Sequence, residues 1–342
     1  MNKVCCFGEL LLRLSPKADG VWIQNASMPV FVGGAELNVA TAIANWGINT
    51  SYFTALPENS LANDIKKYIA DKGIDTSVIN TSGERIGTYY LPQGADLKNA
   101  GVIYDRAYSS FSVLKVGQVD WKEVLKDVSW FHFSAISPAL NQDAADVCLE
   151  VLKVASEMNI TISVDLNYRS KLWKYGKKPT EIMPELAQYC DVIMGNLWAA
   201  NTLLGIDIDP LLLTSLEKQA DYDYPAHGKA TSEAIQAKFP KCKFVANTYR
   251  FDHQKTGIEY YTTLFTEGNQ YQSPVFFADA VVDKIGSGDC FMGGLIYGLS
   301  QQHEPQEVIN FAAAAAYGKL QEYGDATQQK VEAVKLILEN YL

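Results

Sequence analysis

The residues most suited to chemistry lie near the carboxyl end of the chain, in the segment DKIGSGDCFMGG at 283–294. Gly286, Ser287 and Gly288 precede Asp289, and a helical pattern follows them. Glycines let the backbone turn tightly, so several N–H groups can converge ahead of a helix N-terminus and stabilise a phosphate there. A carboxylate beside that turn can take a proton from an attacking hydroxyl group. The segment predicts a phosphate-binding turn with Asp289 as the base, although Asp289 could instead be the N-cap of an ordinary helix.

A second pair of glycines, Gly33 and Gly34, precedes a predicted helix near the amino end of the chain. Paired glycines allow the backbone to approach a ligand closely at the start of a helix. Asn38, one turn into that helix, offers both a hydrogen-bond donor and an acceptor. The pattern predicts a second part of the ligand site. Its alternative is a tight strand-to-helix turn with Asn38 on a solvated face.

The elements that must position these residues follow an alternating pattern. Short apolar runs alternate with helical patterns over most of the chain, which is typical of βαβ units around a parallel sheet. The predicted strands are Lys3–Phe7, Ser51–Ala55, Trp130–Ser134, Thr161–Asp165, Val192–Gly195 and Lys243–Asn247. The predicted helices are Ala35–Trp46, Ser60–Lys72, Asn141–Asn159, Asp289–Gln301, Pro305–Tyr323 and Gln328–Tyr341. The predicted fold class is α/β, a single domain over residues 1–342 whose mainly parallel sheet carries helices on both faces.

Two stretches interrupt this alternation. Residues 10–32 and 85–111 are rich in β-branched and aromatic side chains, and neither shows a convincing helical pattern. They predict a small separate β-sheet, drawn from about 9–32 and 86–110, that covers a pocket as a lid. An exposed edge strand of such a lid favours pairing with a second copy, which makes a homodimer through the lid a candidate assembly. The polar segment Gly205–Lys229 looks irregular and receives no role.

The composition excludes several classes of protein. The chain has 342 residues, of which 48% are hydrophobic and 20% are charged, so disordered, collagen-like and coiled-coil proteins are excluded. The formal net charge of −10 argues against a dedicated nucleic-acid binder. No apolar run is long enough to cross a bilayer, and we expect no signal peptide and no membrane partner. The six cysteines and four histidines show no metal-ligand spacing, so we expect reduced thiols, no metal site built from side chains, and a cytoplasmic location.

Both glycine segments, in this order and at opposite ends of an α/β chain, resemble the two signatures of the ribokinase-like, or PfkB, family of carbohydrate kinases. The first signature corresponds to Gly33–Asn38 and ends at Gly47, and the second corresponds to Asp283–Gly294. The resemblance extends over nearly the whole chain. It implies a ribokinase-like fold with a lid, ATP and Mg²⁺ as cofactors, and a small-molecule sugar or sugar acid as substrate.

Further segments are most similar to the 2-keto-3-deoxygluconate kinases of this family. They are Gly8-Glu9, Gly87–Tyr89, Tyr104–Arg106, Phe131–Ser134 with Pro138–Leu140, and Asp165–Arg169 with Leu172-Trp173. The resemblance implies that the sugar acid contacts Gly34, Tyr89, Tyr104, Arg106, Arg169 and Asp325, to which the first glycine segment adds Gly33 and Asn38. It implies that the nucleotide contacts Asn167, Asn196, Thr248, Arg250 and the turn Gly286–Asp289. Two arginines in a lidded pocket suit a carboxylate, because the guanidinium fork binds it with paired charge-assisted hydrogen bonds.

The reaction expected from the resemblance is transfer of the γ-phosphoryl group of ATP to O6 of 2-keto-3-deoxygluconate. Asp289 would take the hydroxyl proton, and the N–H groups of Gly286–Gly288 would stabilise the transferred group. The family commonly has Asn-x-x-Glu, whose glutamate helps to organise the water shell of magnesium, but here Asn196 is followed by Ala199. Two alternatives stay open. One is a fructokinase or related hexose kinase of the same fold, and the more distant one is a sugar-acid-binding protein without useful activity, motivated by Ala199.

Overall fold

The structure is a computed structural model that describes residues 3–17, 21–92, 101–214, 222–253 and 256–342. Its strands, numbered along the chain, are β1 (Lys3–Phe7), β2 (Leu11–Leu14), β3 (Val30–Gly33), β4 (Asn49–Phe53), β5 (Ala55–Leu56), β6 (Ile74–Asp75), β7 (Asn80–Thr81), β8 (Gly87–Tyr90), β9 (Ile103–Asp105), β10 (Val128–Ser134), β11 (Thr161–Asp165), β12 (Val192–Gly195), β13 (Phe244–His253), β14 (Gly257–Thr266), β15 (Asn269–Gln272) and β16 (Phe276–Ala278). Its α-helices are α1 (Ala35–Asn45), α2 (Ser60–Ala70), α3 (Trp121–Val124), α4 (Gln142–Glu157), α5 (Pro179–Ala187), α6 (Leu197–Leu204), α7 (Pro210–Thr214), α8 (Tyr224–Lys238), α9 (Ser287–Ser300), α10 (Pro305–Lys319) and α11 (Val331–Glu339).

A ten-stranded sheet forms the centre of the fold. Its order is β15-β14-β13-β12-β11-β10-β1-β4-β6, with β16 beside β14. The strands from β13 to β6 run parallel, whereas β14, β15 and β16 add an antiparallel edge. The central strands are continuous apolar runs because both faces of a parallel sheet are buried.

Helices cover both faces of the central sheet. Cys5 and Phe7 of β1 face one core, which includes α3, α4, α5, α6 and α8. Val4 and Cys6 face the other core, which includes α1, α2, α9 and α10. This arrangement confirms the predicted α/β class with a mainly parallel sheet. No helix in the described ranges is long and apolar enough to cross a membrane.

Four short strands form a second sheet in the order β3-β2-β8-β9. β2 pairs antiparallel with β3 and parallel with β8, and β8 pairs antiparallel with β9. The strands come from the two β-rich stretches of the sequence, which confirms the prediction of a small separate sheet. Leu11 and Tyr89 of the second sheet pack with Ile285, just before α9. Val30 and Ile103, on the opposite face of their strands, are 56% and 52% exposed.

Three of the predicted strands have the bounds seen in the structure, namely β1, β11 and β12. The strand predicted at Lys243–Asn247 is too short, because β13 continues to His253 as one arm of a long antiparallel hairpin with β14. The strand β14 was not predicted, because its sequence is rich in tyrosine and threonine, whose side chains carry polar groups. Tyr260 and Thr262 are nevertheless only 5% and 0% exposed.

The prediction that Gly205–Lys229 is irregular is wrong. The segment contains α7 and the start of α8, while residues 215–221 lie outside the described residues. Asp223 caps α8, since its side chain accepts a hydrogen bond from Ala226 N. The buried face of α8 carries small or polar residues such as Gly228, Thr231 and Ser232, so the usual apolar periodicity of a helix is absent.

Candidate active site

A cavity of about 590 Å³ opens between the second sheet and the carboxyl ends of β11 and β12. This edge of a parallel sheet is where α/β folds bind ligands. All of the predicted site residues except Gly33 line the cavity. They are Gly34, Asn38, Tyr89, Tyr104, Arg106, Asn167, Arg169, Asn196, Thr248, Arg250, Gly286, Ser287, Gly288, Asp289 and Asp325. The fold thus brings together residues from both ends of the sequence.

Gly33 and Gly34 form the turn between β3 and α1. Gly34 is the N-cap of α1 with a φ of 140°, and a Cβ on it would lie 2.6 Å from the carbonyl oxygen of Glu9. Only glycine therefore fits at this position. A Cβ on Gly33 would lie 2.3 Å from Asp325 Oδ2. Gly33 thus makes room for the carboxylate of Asp325 and is not among the residues that line the cavity. Its contact with the substrate stays a prediction.

Helix α9 presents an uncapped N-terminus to the cavity. It begins at Ser287, directly after Gly286. Gly286 has a φ of 76°, and a Cβ added to it would lie 1.8 Å from the carbonyl oxygen of Asp325. No side chain caps the helix. Cys290 N donates a hydrogen bond to the Gly286 carbonyl oxygen at 2.8 Å, and the first amides of the helix come before this bond in the chain. A Cβ on Gly288 would meet no atom within 4 Å, so this side of the turn is open. Such an end suits a phosphate group.

Asp289 is the third residue of α9 and not its N-cap, so the alternative of an ordinary capping aspartate does not apply. Its Oδ2 accepts a hydrogen bond from Asn38 Nδ2 at 2.7 Å. Burial raises the pKa of Asp289 to about 6, although the bond from Asn38 and the charge of Arg169 oppose this shift. A carboxylate with a pKa just below neutral is ionised at pH 7 and is an effective proton acceptor.

Asn38 has a buried polar atom that suits a ligand. Its Nδ2 is used by Asp289, whereas its Oδ1 has no hydrogen-bond partner among the described residues. Asn38 is only 4% exposed and lines the cavity. A buried acceptor without a donor is unfavourable, so a ligand hydroxyl that donates to Oδ1 would be stabilised here.

The two arginines that were predicted to act together have different surroundings. Arg106 donates from both Nε and Nη2 to Glu9 Oε2, with the Nε bond at 2.7 Å, and this ion pair is buried. Arg169 donates from Nη1 to the carbonyl oxygen of Tyr168 at 3.3 Å and makes no ion pair within the described chain. The charge of Arg106 is therefore balanced by Glu9, whereas that of Arg169 is available to a ligand. The pairing of Glu9 with Arg106 was not predicted, because the two residues are 97 positions apart.

Asp325 is held from the second sheet by two residues. Tyr89 donates its hydroxyl hydrogen to Asp325 Oδ2 at 3.2 Å, and Arg13 Nη2 lies 2.7 Å from Asp325 Oδ1. Burial raises the pKa of Asp325, and the positive charge of Arg13 opposes that shift. The role of Arg13 was also not predicted. Its signal was a lone arginine between leucines in the strand Leu11–Leu14.

The residues predicted to contact the nucleotide line the same cavity, and two of them also have structural contacts. Asn196 Oδ1 accepts a hydrogen bond from Ala199 N at 2.9 Å and so caps α6. Thr248 Oγ1 donates to the carbonyl oxygen of Gly195 at 3.3 Å. Among the residues that the structure describes, no group of three or more His, Cys, Asp or Glu side chains could hold a metal ion.

Comparisons with known proteins define the class to which this fold and site belong. The model of the pfkB family of carbohydrate kinases matches residues 1–331. The chain therefore belongs to the pfkB family of carbohydrate kinases, which confirms the resemblance and implies ATP as a substrate.

Individual relatives are also sugar kinases. The 2-dehydro-3-deoxygalactonokinase of Haloferax volcanii is 28% identical over 333 residues, which cover 96% of this chain and 95% of the relative. The crystal structure of 2-dehydro-3-deoxygluconokinase from Thermotoga maritima has a TM-score of 0.88 and 33% identity, and the match covers 99% of this chain and 100% of that chain. Fructokinase-1 of Oryza sativa subsp. japonica is 24% identical, and the match covers 91% of this chain and 89% of the relative.

The raised pKa of Asp289 leads to a prediction about stability and pH. This pKa is about 6 in the folded protein, against 3.8 for an ordinary aspartate. The folded protein thus binds the proton more tightly than the unfolded chain, and ionisation of Asp289 lowers the free energy of unfolding as the pH rises from about 4 to above 6. We expect Asp289→Asn to melt a few degrees above the wild type at pH 8. The difference should shrink as the pH falls toward 4.

The matched control is Asp64→Asn, which removes an exposed carboxylate on α2. Its effect on the melting temperature should be small and should change little between pH 5 and pH 8. Thermal melts followed by circular dichroism measure both variants. A melting difference for Asp289→Asn that does not depend on pH would contradict the raised pKa.

Proposed function

We propose that the chain transfers the γ-phosphoryl group of ATP to O6 of 2-keto-3-deoxygluconate, also called 2-dehydro-3-deoxygluconate. The observation that carries this proposal is a carboxylate at an open helix end. Asp289 lies in the uncapped first turn of α9, accepts a hydrogen bond from Asn38, and lines the cavity together with Gly286 and Gly288. The relatives named for 2-dehydro-3-deoxy sugar acids support the substrate class.

In the proposed step, the bond between O6 and the γ-phosphorus forms while the bond between that phosphorus and the bridging oxygen of ADP breaks. Asp289 accepts the proton of the O6 hydroxyl group and later releases it to water. The N–H groups of Gly286–Gly288, backed by the positive end of the α9 dipole, stabilise the charge on the transferred group. The second sheet acts as the lid that excludes water and so limits hydrolysis of ATP.

Magnesium is the second cofactor that we propose. Bound together with ATP, it would neutralise the charge of the phosphates. The described residues offer no cage of acidic side chains, which fits an ion held by phosphate oxygens and water. The nucleotide would lie against Asn167, Asn196, Thr248 and Arg250.

Arg169 is the residue that we propose for the substrate carboxylate. It lines the cavity, and within the described chain it makes no ion pair. Arg106 also lines the cavity, but Glu9 takes two of its donor groups and leaves Nη1 for a ligand hydroxyl. A carboxylate would therefore bind mainly to Arg169, with Arg106 in a supporting position.

A fructokinase is the second candidate function. The Arg106–Glu9 pair is neutral overall, so the proposed sugar site has less positive charge than two unpaired arginines would give it. The relative from rice is also named a fructokinase. Both candidates use the same base and the same turn. They differ in whether Arg169 has a carboxylate to bind.

The first test of the proposed function is the turnover of Asp289→Asn. The amide keeps the size of the side chain and can accept the bond from Asn38, but it cannot accept a proton. We expect kcat to fall about 10²–10⁴-fold with little change in sugar affinity. In the wild type, kcat/KM should decline below about pH 6 as Asp289 becomes protonated.

An ADP-release assay measures this turnover, and calorimetry without ATP measures sugar binding. Asp64→Asn is again the control and should behave as the wild type. Near-normal turnover in Asp289→Asn would remove Asp289 from the mechanism. Binding of the sugar acid to the wild type without any ADP release would select the non-catalytic alternative.

The second test concerns the substrate carboxylate. Loss of one partner of a desolvated charge pair typically costs about 2–5 kcal/mol, so Arg169→Gln should lower kcat/KM for 2-keto-3-deoxygluconate roughly 30-fold or more. Activity on fructose, which has no carboxylate, should change much less. Arg169→Lys should recover part of the loss, because an ammonium group keeps the charge but lacks the planar fork.

Arg106→Gln is the comparison for this test. It leaves Glu9 buried without its cation, so we expect lower stability and similar losses on both sugars. Equal losses on the acid and on fructose in Arg169→Gln would end the assignment of Arg169 to a carboxylate. Turnover of the wild type with neutral hexoses alone would select the fructokinase.

We also propose that two copies associate through the second sheet. Val30 and Ile103 project from it and are 56% and 52% exposed, and β3 and β9 are its edge strands. Sedimentation velocity should show a dimer for the wild type and a monomer for Ile103→Asp. Leu336→Asp, which changes an exposed leucine on α11, should remain a dimer. A monomeric wild type at micromolar concentration would overturn this assembly.

The location that we infer is cytoplasmic. All six cysteines are free and buried, and free thiols are typical of proteins in reducing compartments. Burial raises the pKa of the Cys5 thiol to about 11, so this thiol is protonated at neutral pH and unreactive.

A further inference from the structure

Arg13 is a buried arginine that the proposed reaction does not use. It lies on β2 of the second sheet, is 2% exposed, and is not among the residues that line the cavity. Its Nη2 lies 2.7 Å from Asp325 Oδ1 and 3.5 Å from Asp283 Oδ2. Its guanidinium group also lies over the ring of Phe31, 4.1 Å from the ring centroid. One side chain of the second sheet thus contacts two carboxylates outside that sheet.

The two carboxylates belong to the loops that build the turn before α9. Asp283 Oδ1 accepts a hydrogen bond from Ile285 N at 3.0 Å, and Asp283 Oδ2 accepts one from Gly324 N at 3.3 Å. The carbonyl oxygen of Asp325 lies against Gly286, where a Cβ would be 1.8 Å away. A shift of either aspartate would therefore displace the backbone of the turn.

Burial makes these aspartates sensitive to the loss of a cation. Asp283 and Asp325 are 7% and 5% exposed. Lys319, at the end of α10, is fully buried nearby, and its Nζ donates to the carbonyl oxygen of Glu322 at 3.1 Å. The charge of Lys319 interacts with those of Asp283 and Asp325. Arg13 is the cation that connects these carboxylates to the second sheet.

We propose that Arg13 is a positioning residue that couples the second sheet to the phosphate-binding turn at Gly286–Gly288. The inference rests on the proposed function of that turn. When a sugar occupies the site beside Tyr89, the second sheet lies over it, and Arg13 holds Asp325 and Asp283 in place. The turn is thereby held at the correct distance from the sugar hydroxyl. Without Arg13 the turn still forms, but a displacement of about 1 Å can lower the rate of a reaction by two orders of magnitude.

The test is the turnover of Arg13→Met at saturating ATP and sugar. Methionine keeps part of the apolar stem and removes the guanidinium fork. We expect kcat to fall about 10- to 100-fold. ADP release should exceed formation of sugar phosphate, because water can attack ATP when the turn and the hydroxyl group are misaligned. Arg13→Lys keeps the charge without the fork and should recover part of kcat.

Two control variants separate positioning from stability. Arg85→Met removes another arginine near the second sheet, whose ion pair is with Asp105 at 2.9 Å and is partly exposed. Leu12→Ala weakens β2 without removing a charge. Both should keep kcat within about threefold of the wild type, with one sugar phosphate formed for each ADP.

The outcomes that would overturn the inference are distinct. If Arg13→Met matches Arg85→Met in kcat and product ratio, Arg13 does not position the turn. If Leu12→Ala loses as much kcat as Arg13→Met for the same drop in melting temperature, Arg13 only stabilises the second sheet. If Arg13→Met does not fold, Asp283→Asn replaces it, since this variant keeps the acceptor for Ile285 N. Normal kcat in both Asp283→Asn and Arg13→Lys would then overturn the inference.

Gly288→Val distinguishes this inference from the proposed function. A side chain at Gly288 meets open space, so the variant should fold and obstruct the phosphate side of the turn. Intact turnover in Gly288→Val would remove the role of the turn, and the role of Arg13 with it. An inactive Gly288→Val together with normal Arg13 variants would remove the role of Arg13 alone.

Discussion

The contact between Gly286 and the carbonyl oxygen of Asp325 is the constraint on which the rest of the site depends. A Cβ at Gly286 would lie 1.8 Å from that oxygen, and the φ of 76° also favours glycine. The contact joins the loop before α9 to the loop after α10. Because it sets where α9 begins, it also sets the direction of the first amides and the position of Asp289. Because it involves Asp325, the same contact positions a carboxylate next to Tyr89.

The buried carboxylates of the site differ in what holds them, and this difference decides their chemistry. Glu9 is paired with Arg106, and Asp325 is paired with Arg13. Asp289 accepts its hydrogen bond from the neutral amide of Asn38, and burial then raises its pKa to about 6. A buried carboxylate that is held by an amide is able to exchange a proton near neutral pH, which is the property that a proton acceptor needs.

The sequence predicts those parts of the site that depend on local chemistry. The glycine turns, the helices that follow them and the apolar parallel strands are visible in runs of about ten residues. Pairings across the chain are not visible, because nothing local marks them: Arg106 and Glu9 are 97 positions apart, and Arg13 and Asp283 are 270 apart. Gly33 is a case in which the motif identifies the residue but does not explain why it must be glycine. Its residue type is explained by the space that Asp325 needs, and this reason appears only when the two chain segments are placed side by side.

The parallel pairing of β2 with β8 has a consequence for how the molecule assembles. α1, β4 and α2 lie between these two strands in the chain, so β2 and β8 cannot meet by forming a local hairpin. Closing so long a segment is entropically unfavourable until the intervening elements are in place, so the second sheet is expected to form late in folding. It is also expected to open first. Amide hydrogens of β8 and β9 should exchange with solvent sooner than those of β10 and β11, and a molecule in that open state would retain its central core while lacking one wall of the cavity.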